Sequence, residues 1–287
     1  TLNTGARFTY TSLEARFIDQ TYVSLPELDL KTDNSSLTAN IGLTYRPSDL
    51  TRFNAVVSSG FRSPNIDDIG KIREKNGLLT VPNIGLRPEY AYNGELGFTK
   101  FLKNKRNQIS LNGFYTLLDS YISRQPFVVQ GDTSTADENT VIYDGEEVTT
   151  IAHVNGDTAY ILGGTLDINL NPTKNFFIRG NVTYTEGKTN DTDVALPSIL
   201  PFFTSLGVTY DNGKFDAGLN WRYSSKKDID DYSPGGEDNE EQAPLIDPDP
   251  LVDGDEFYTD LPSWNTLNSS IGYQVNDTIK VQVALDN

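Results

Sequence analysis

Cysteine is missing altogether from the 287 residues, and histidine occurs once. The first absence removes disulfide frameworks and thiolate metal sites. The two together leave too few parts for a thiol or histidine-based triad mechanism. Long hydrophobic runs are missing as well: no stretch approaches the ~20 apolar residues that a membrane-crossing helix needs. Positive charge is scarce, with 23 Lys and Arg against 40 Asp and Glu and a net charge of −17. The basic stripe expected of a nucleic-acid-binding surface is therefore not available, and nucleic acid is excluded as a partner. No H-E-x-x-H, G-x-S-x-G or phosphate-binding loop occurs, so no catalytic set and no cofactor is indicated.

What the chain has is alternation. Leu37, Ala39, Ile41, Leu43 and Tyr45 are interleaved with Thr38, Asn40, Gly42, Thr44 and Arg46, a period of two that sends the sets to opposite faces of a strand. The same pattern predicts eleven strands, near 2–13, 36–46, 52–62, 89–101, 107–122, 158–171, 175–186, 200–210, 214–225, 263–274 and 278–287. Most have about the 9–11 residues that a tilted strand needs to cross a bilayer. Tight turns are expected at Arg46–Asp49, Lys103–Arg106, Asn171–Lys174, Asp211–Lys214 and Asn276–Asp277. In Asn212-Gly213, the two residues suit the positive φ angles of a short hairpin. Between these turns fall long connections near 14–35, 63–88, 123–157, 187–199 and 226–262. Short connections on one rim and long ones on the other are the layout of an antiparallel transmembrane β-barrel. A soluble β-sandwich has no reason to sort its loops this way.

The faces agree with that layout. One carries Phe8, Tyr10, Val57, Leu96, Phe98, Val182, Leu206, Leu219 and Val281, with aromatics gathered toward both strand ends. Such rows match interfacial girdles around an aliphatic band. The other face carries Asn54, Glu95, Asn112, Asp167, Arg179, Asn181, Asn220 and Arg222, which a water-filled or plugged lumen accommodates and a dry core does not. A mean hydropathy of −0.44 is uninformative here, because lumen-facing residues dilute the average.

The third predicted strand runs into Gly60-Phe61-Arg62-Ser63-Pro64-Asn65, and further on come Pro82-Asn83-Ile84-Gly85-Leu86-Arg87-Pro88-Glu89 and Glu95-Leu96-Gly97. These segments resemble the paired signature of TonB-dependent outer-membrane receptors, with Phe61, Arg62, Pro64, Asn83, Leu86, Pro88 and Glu89 at the motif positions. Ile84 departs from the pattern, standing where proline is common. The Asn112–Ile122 hairpin and the Val154–Gly164 region also resemble the family. The resemblance implies a 22-stranded barrel closed by an N-terminal plug. At roughly 26 residues per strand that barrel needs about 570 residues. Residues 1–287 are then expected to be the C-terminal portion of the barrel, with the plug domain and the last strand absent. It also implies an outer-membrane, multi-pass location in a Gram-negative bacterium. The implied activity is active import of a scarce extracellular ligand such as a ferric siderophore or cobalamin, with no enzymatic step. Implied partners are membrane lipid, the small-molecule ligand, the plug, and the TonB complex reached through the plug. A passive porin or channel, and a secreted β-rich carbohydrate-binding module, are the alternatives.

Candidate site residues follow. Arg62, Lys71, Arg73, Lys75 and Arg87 make the 62–87 connection locally basic in an acidic chain, a field that would steer an anionic ligand; a solvated loop accounts for it equally. Arg62 could meet ligand or plug, or simply belong to a rigid strand exit ended by Pro64. The 226–260 connection holds thirteen acidic residues against two lysines. Its Asp228, Asp230 and Asp231, with Asp247 and Asp249, are oxygen ligands of the type calcium takes, but they match no EF-hand spacing and read more simply as a solvated loop. His153 could serve a haem receptor as axial ligand; a lone histidine near a strand start is more often incidental.

Overall fold

The computed structural model describes residues 1–16, 29–75, 77–102, 106–129, 137, 139–156, 158–233, 243–246 and 257–287. In chain order the elements are β1 (Leu2–Arg16), β2 (Asp29–Ser48), β3 (Thr51–Arg62), a short helix α1 (Ile66–Gly70), β4 (Arg73–Lys75), β5 (Leu78–Thr80), β6 (Glu89–Phe101) and β7 (Gln108–Asp119). Then come β8 (Ile122–Pro126), β9 (Thr140–Tyr143), β10 (Glu146–Asn155), β11 (Thr158–Thr173), β12 (Phe176–Thr189), β13 (Phe202–Asp211) and β14 (Phe215–Ser224). A 3₁₀ turn at Ile229–Asp231 precedes β15 (Leu245–Ile246), β16 (Phe257–Tyr258), β17 (Trp264–Gln274) and β18 (Lys280–Leu285).

Eleven of these strands form one antiparallel sheet in the order β1-β2-β3-β6-β7-β11-β12-β13-β14-β17-β18. They are the eleven segments the alternation marks out. The sheet is not closed: β1 and β18 are its two edges. Its aliphatic face is bare, with Phe8, Val57 and Leu96 67–71% exposed. Water does not tolerate so extensive an apolar surface on a soluble domain. The opposite face is knitted by polar cross-strand pairs, among them Thr44 to Asn54 (3.0 Å), Asn112 to Glu95 (2.8 Å), Thr116 to Asn93 (2.9 Å) and Ser205 to Asn181 (2.8 Å). A cleft on this face is lined by Gln108, Asp167, Asn169, Arg179, Asn181 and Asn220.

Both expected rows of aromatics are built. Near the short turns Tyr45, Phe53 and Phe98 form a chain across three strands, as do Phe176, Tyr210 and Phe215. At the other rim Phe61, Tyr90 and Tyr92 form a second chain, and Trp221 stacks on Tyr223. Strand pairing brings such rings within contact across neighbouring strands. Gly163 has a packing reason of its own: a Cβ there would stand 2.6 Å from the Phe114 ring and 2.5 Å from the Tyr184 carbonyl.

Several turns sit differently from the sequence expectation. Pro47 and Pro172 lie inside β2 and β11 rather than at turn centres, and the register shifts between Tyr45 and Ser48 and between Leu170 and Thr173. Proline cannot donate to a ladder, so it is accommodated at a bulge; the reversals themselves fall at Asp49-Leu50 and Lys174-Asn175. At 211–214 only Gly213 takes positive φ, +85°. The two-residue loop is therefore Gly213-Lys214, with glycine in the first central place, and Asn212 caps it by accepting from the Lys214 and Phe215 amides. The expected turn at Lys103–Arg106 lies largely outside the described residues.

Candidate functional site

The largest departure from the sequence expectation is on the long-loop rim. The connections 63–88 and 123–157, expected as loops, join in a second sheet ordered β4-β5-β10-β8, with β9 also paired to β10. The β9–β10 reversal uses Asp144 and Gly145, both at positive φ (50° and 88°), the combination a type I′ hairpin requires. Asp-Gly between Thr140–Tyr143 and Glu146–Asn155 was the signal for it in the sequence.

This second sheet owns a core. Leu79, Val81, Val141, Val148 and Ala152 are buried together, with Ile72, Phe127, Val129 and Tyr143 packed around them. A second cluster, Leu30, Ile69, Leu86 and Ile122, joins it to the rim. Burying each Leu, Ile or Val contributes about 1.5–3 kcal/mol, so the platform draws its stability from its own packing rather than from a bilayer.

Polar staples fix the platform to the barrel strands. Asn65 caps α1 by accepting from the Asp67 and Asp68 amides, and Asp68 returns a bond to the Asn65 amide at 2.9 Å. Arg62, at the end of β3, donates to Asp68 at 2.8 Å and to Glu89 at 3.3 Å. Glu89, opening β6, also accepts from the Ile122 amide at 2.9 Å. Asn83 donates to the His153 carbonyl (2.8 Å) and accepts from the Gly85 amide (3.0 Å). Asn155 accepts from the Arg87 amide at 2.7 Å while donating to the Arg87 and Ser120 carbonyls, each at 2.9 Å. The two sequence segments that looked like a paired signature are thus one hydrogen-bonded unit, with β10 as the bridge between them.

Each candidate residue has a definite place. Phe61 meets the Tyr90 ring at a tilt, Pro64 and Leu86 are buried, and Arg62 is held by two carboxylates. Lys71 lies at the C-terminal end of α1, Arg73 on the outer strand β4 and Arg87 beside Pro88; Arg73 and Arg87 are exposed. Among the described residues, none of Lys71, Arg73 and Arg87 is in an ion pair. The His153 ring lies between Arg124 and the Asp68 carbonyl. Burial and the charge of Arg124 hold its pKa below the ordinary 6.5, with Asp68 acting in the other direction.

In the acidic connection, Asp228 pairs with Lys226, and Asp260 accepts from the Ile229 amide at 2.9 Å. Asp230 and Asp231 lie in the 3₁₀ turn. Among the described residues no group of three or more acidic or imidazole side chains is arranged to hold a metal; Asp247 and Asp249 lie outside them. Lys227 is buried over the Tyr232 ring, 4.2 Å from its centre.

Comparison with known proteins gives this arrangement its context. The β-barrel profile of TonB dependent receptor-like proteins matches residues 1–287. No curated protein sequence matches the chain. Among solved structures, the copper transporter OprC superposes with a TM-score of 0.68 at 17% identity, covering 100% of this chain and 39% of that one. The siderophore receptor PirA from Acinetobacter baumannii gives 0.65 at 18% identity over 90% of this chain and 38% of its own. The ferric enterobactin receptor PfeA from Pseudomonas aeruginosa gives 0.66 at 14% identity over 90% and 36%. At these identities the structural likeness speaks for fold, and the chain spans well under half of each protein's length. The profile match runs unbroken from Thr1 to Asn287, and on that ground the chain belongs to the TonB-dependent receptors, a family of outer-membrane proteins, as β-barrel sequence.

Proposed function

We propose that this chain is the loop-bearing part of an outer-membrane receptor that imports a scarce extracellular ligand, such as a ferric siderophore or cobalamin. The open edges along β1 and β18 would expose unpaired backbone groups to lipid, which a bilayer does not tolerate. Further strands completing a barrel of about 22 resolve this, and a plug fills the lumen they enclose. The polar inner face then meets the plug, the apolar face meets lipid, and the TonB complex acts on the plug. The chain's own role is binding and passage, without bond chemistry.

The observation that carries the reading is the packed platform on the long-loop rim. Mobile loops would suffice for a passive channel. A sheet with its own core and staples holds exposed side chains in fixed positions, which lowers the ordering cost of capture. Its cations Lys71, Arg73 and Arg87, in no ion pair among the described residues, favour an anionic ligand through steering.

Uptake of radiolabelled ferric enterobactin and of cobalamin, by cells expressing the full-length receptor, tests this. Replacing Lys71, Arg73 and Arg87 together with Gln is expected to slow uptake of an anionic ligand and to flatten its salt dependence, since rim charges act mainly on encounter. Unchanged uptake in the triple variant removes the platform from the capture step. Deleting 243–246 and 257–258 is expected to do less harm.

A further inference from the structure

We propose that His153 is an acid-released latch fastening the loop platform to the strand exit of β3. Its ring is enclosed by three elements. From β8, Arg124 donates through Nε to His153 Nε2 at 3.3 Å. On the α1 side, the carbonyl oxygen of Asp68 lies 3.2 Å from His153 Nδ1. A guanidinium has only donors, so Nε2 is the bare nitrogen and Nδ1 carries the proton that Asp68 accepts. The tautomer follows from the partners.

Among the described residues, the charged groups facing the ring are Arg124 from β8, Arg62 from β3 and Asp68 from α1. Asp68 and Glu89 of β6 are both engaged with Arg62. Opposite Arg124 in the β8–β10 ladder, the main chain of His153 also accepts from Asn83. The ring and backbone of one residue therefore join β8, β10, α1 and the segment that leads into β6.

A second proton on Nε2 turns that acceptor into a donor aimed at another donor. It also sets an imidazolium against the Arg124 guanidinium in a half-buried place, where like charges are poorly screened. The Arg124 contact has to open, and the junction of β8, β10 and α1, on which Asn83 is held through the His153 carbonyl, loses one of its ties. Burial and Arg124 depress the folded-state pKa below 6.5, so the unfolded chain binds the proton more readily. The latch is accordingly at full strength above pH 6.5 and is lost as the pH falls from there through the depressed value.

Hydrogen exchange of the full-length receptor in detergent, without ligand, reads this directly. The informative amides are Asn83, bonded to the Ile69 carbonyl, and Arg87, bonded to Asn155. Between about pH 7.5 and pH 5, after correction for intrinsic rates, their protection should fall severalfold. Amides of β13 should not follow. His153→Gln keeps a donor and an acceptor but does not titrate, and should abolish the step. Arg124→Gln removes the facing cation and should move the midpoint up toward 6.5. No step in the wild type, or the same midpoint in the wild type and in Arg124→Gln, overturns the latch. If His153→Gln loosens the segment at both pH values, Arg124→Gln decides: a raised midpoint sustains the proposal and an unmoved one refutes it. None of these readings uses ligand, so the latch and the import reading stand or fall separately.

Discussion

Leu219 and Asn220 are adjacent on β14, and Arg at the two places should have very different consequences. Leu219 is 47% exposed on the aliphatic face. Phe215 and Tyr223 lie four residues to either side on that face and belong to the two aromatic rows. Four residues of strand span about 14 Å, or ~10 Å along the membrane normal at the usual tilt. The girdles are then ~20 Å apart, comparable with the ~25 Å apolar band of such barrels, and Leu219 falls near its middle. Arg at the midplane costs about 2–4 kcal/mol, so Leu219→Arg is expected to destabilise by that amount. Asn220 faces the polar cleft beside Arg179 and Asn181, and its Oδ1 is buried with no partner among the described residues. Asn220→Arg gives up no hydrogen bond at that oxygen and gains water-accessible surroundings, so its cost should stay near or below about 1 kcal/mol. Urea titrations of the full-length receptor folded into lipid vesicles supply both values. Equal costs, or a larger one at Asn220, would mean that the two faces have been exchanged.

The same geometry makes further predictions. Asn155→Ala removes three hydrogen bonds to Arg87 and Ser120 and should cost the platform about 2–3 kcal/mol, seen as faster exchange of the Arg87 amide. Asn155→Asp should be no milder, because it keeps the acceptor but turns a carboxylate toward two carbonyl oxygens. Single cysteines in place of Ser48 and Thr173, on the short-turn rim, should be shielded from an impermeant thiol reagent in intact cells. Cysteines in place of Asp144 and Asp191, on the opposite rim, should react; reversal of the two sets would invert the orientation proposed above.

Period-two patterning determined the eleven wall strands from the sequence alone. A one-residue slip would exchange Leu219 with Asn220 and every such pair along the wall, so the register is fixed wherever the faces differ this sharply. The aromatic rows were legible for the same reason. Turn positions were less so: Pro47 and Pro172 look like turn residues locally, yet the pairing of β2 with β3 and of β11 with β12 places both at bulges. The loop platform was out of reach except for its Asp144-Gly145 hairpin, because β5 and β10 pair in parallel across some seventy residues of chain. No local pattern encodes a pairing of that range. Arg62 shows the difference most clearly. Beside Pro64 in the sequence it is a basic residue at a strand exit; only the folded chain brings Asp68 and Glu89 to it and turns a free cation into a staple. His153 is the converse case, an isolated histidine in the sequence whose ring partners, Arg124 and Asp68, only the fold supplies. Side-chain type and spacing set the wall, whereas the chemistry of the rim depends on which distant groups the fold brings within hydrogen-bonding distance.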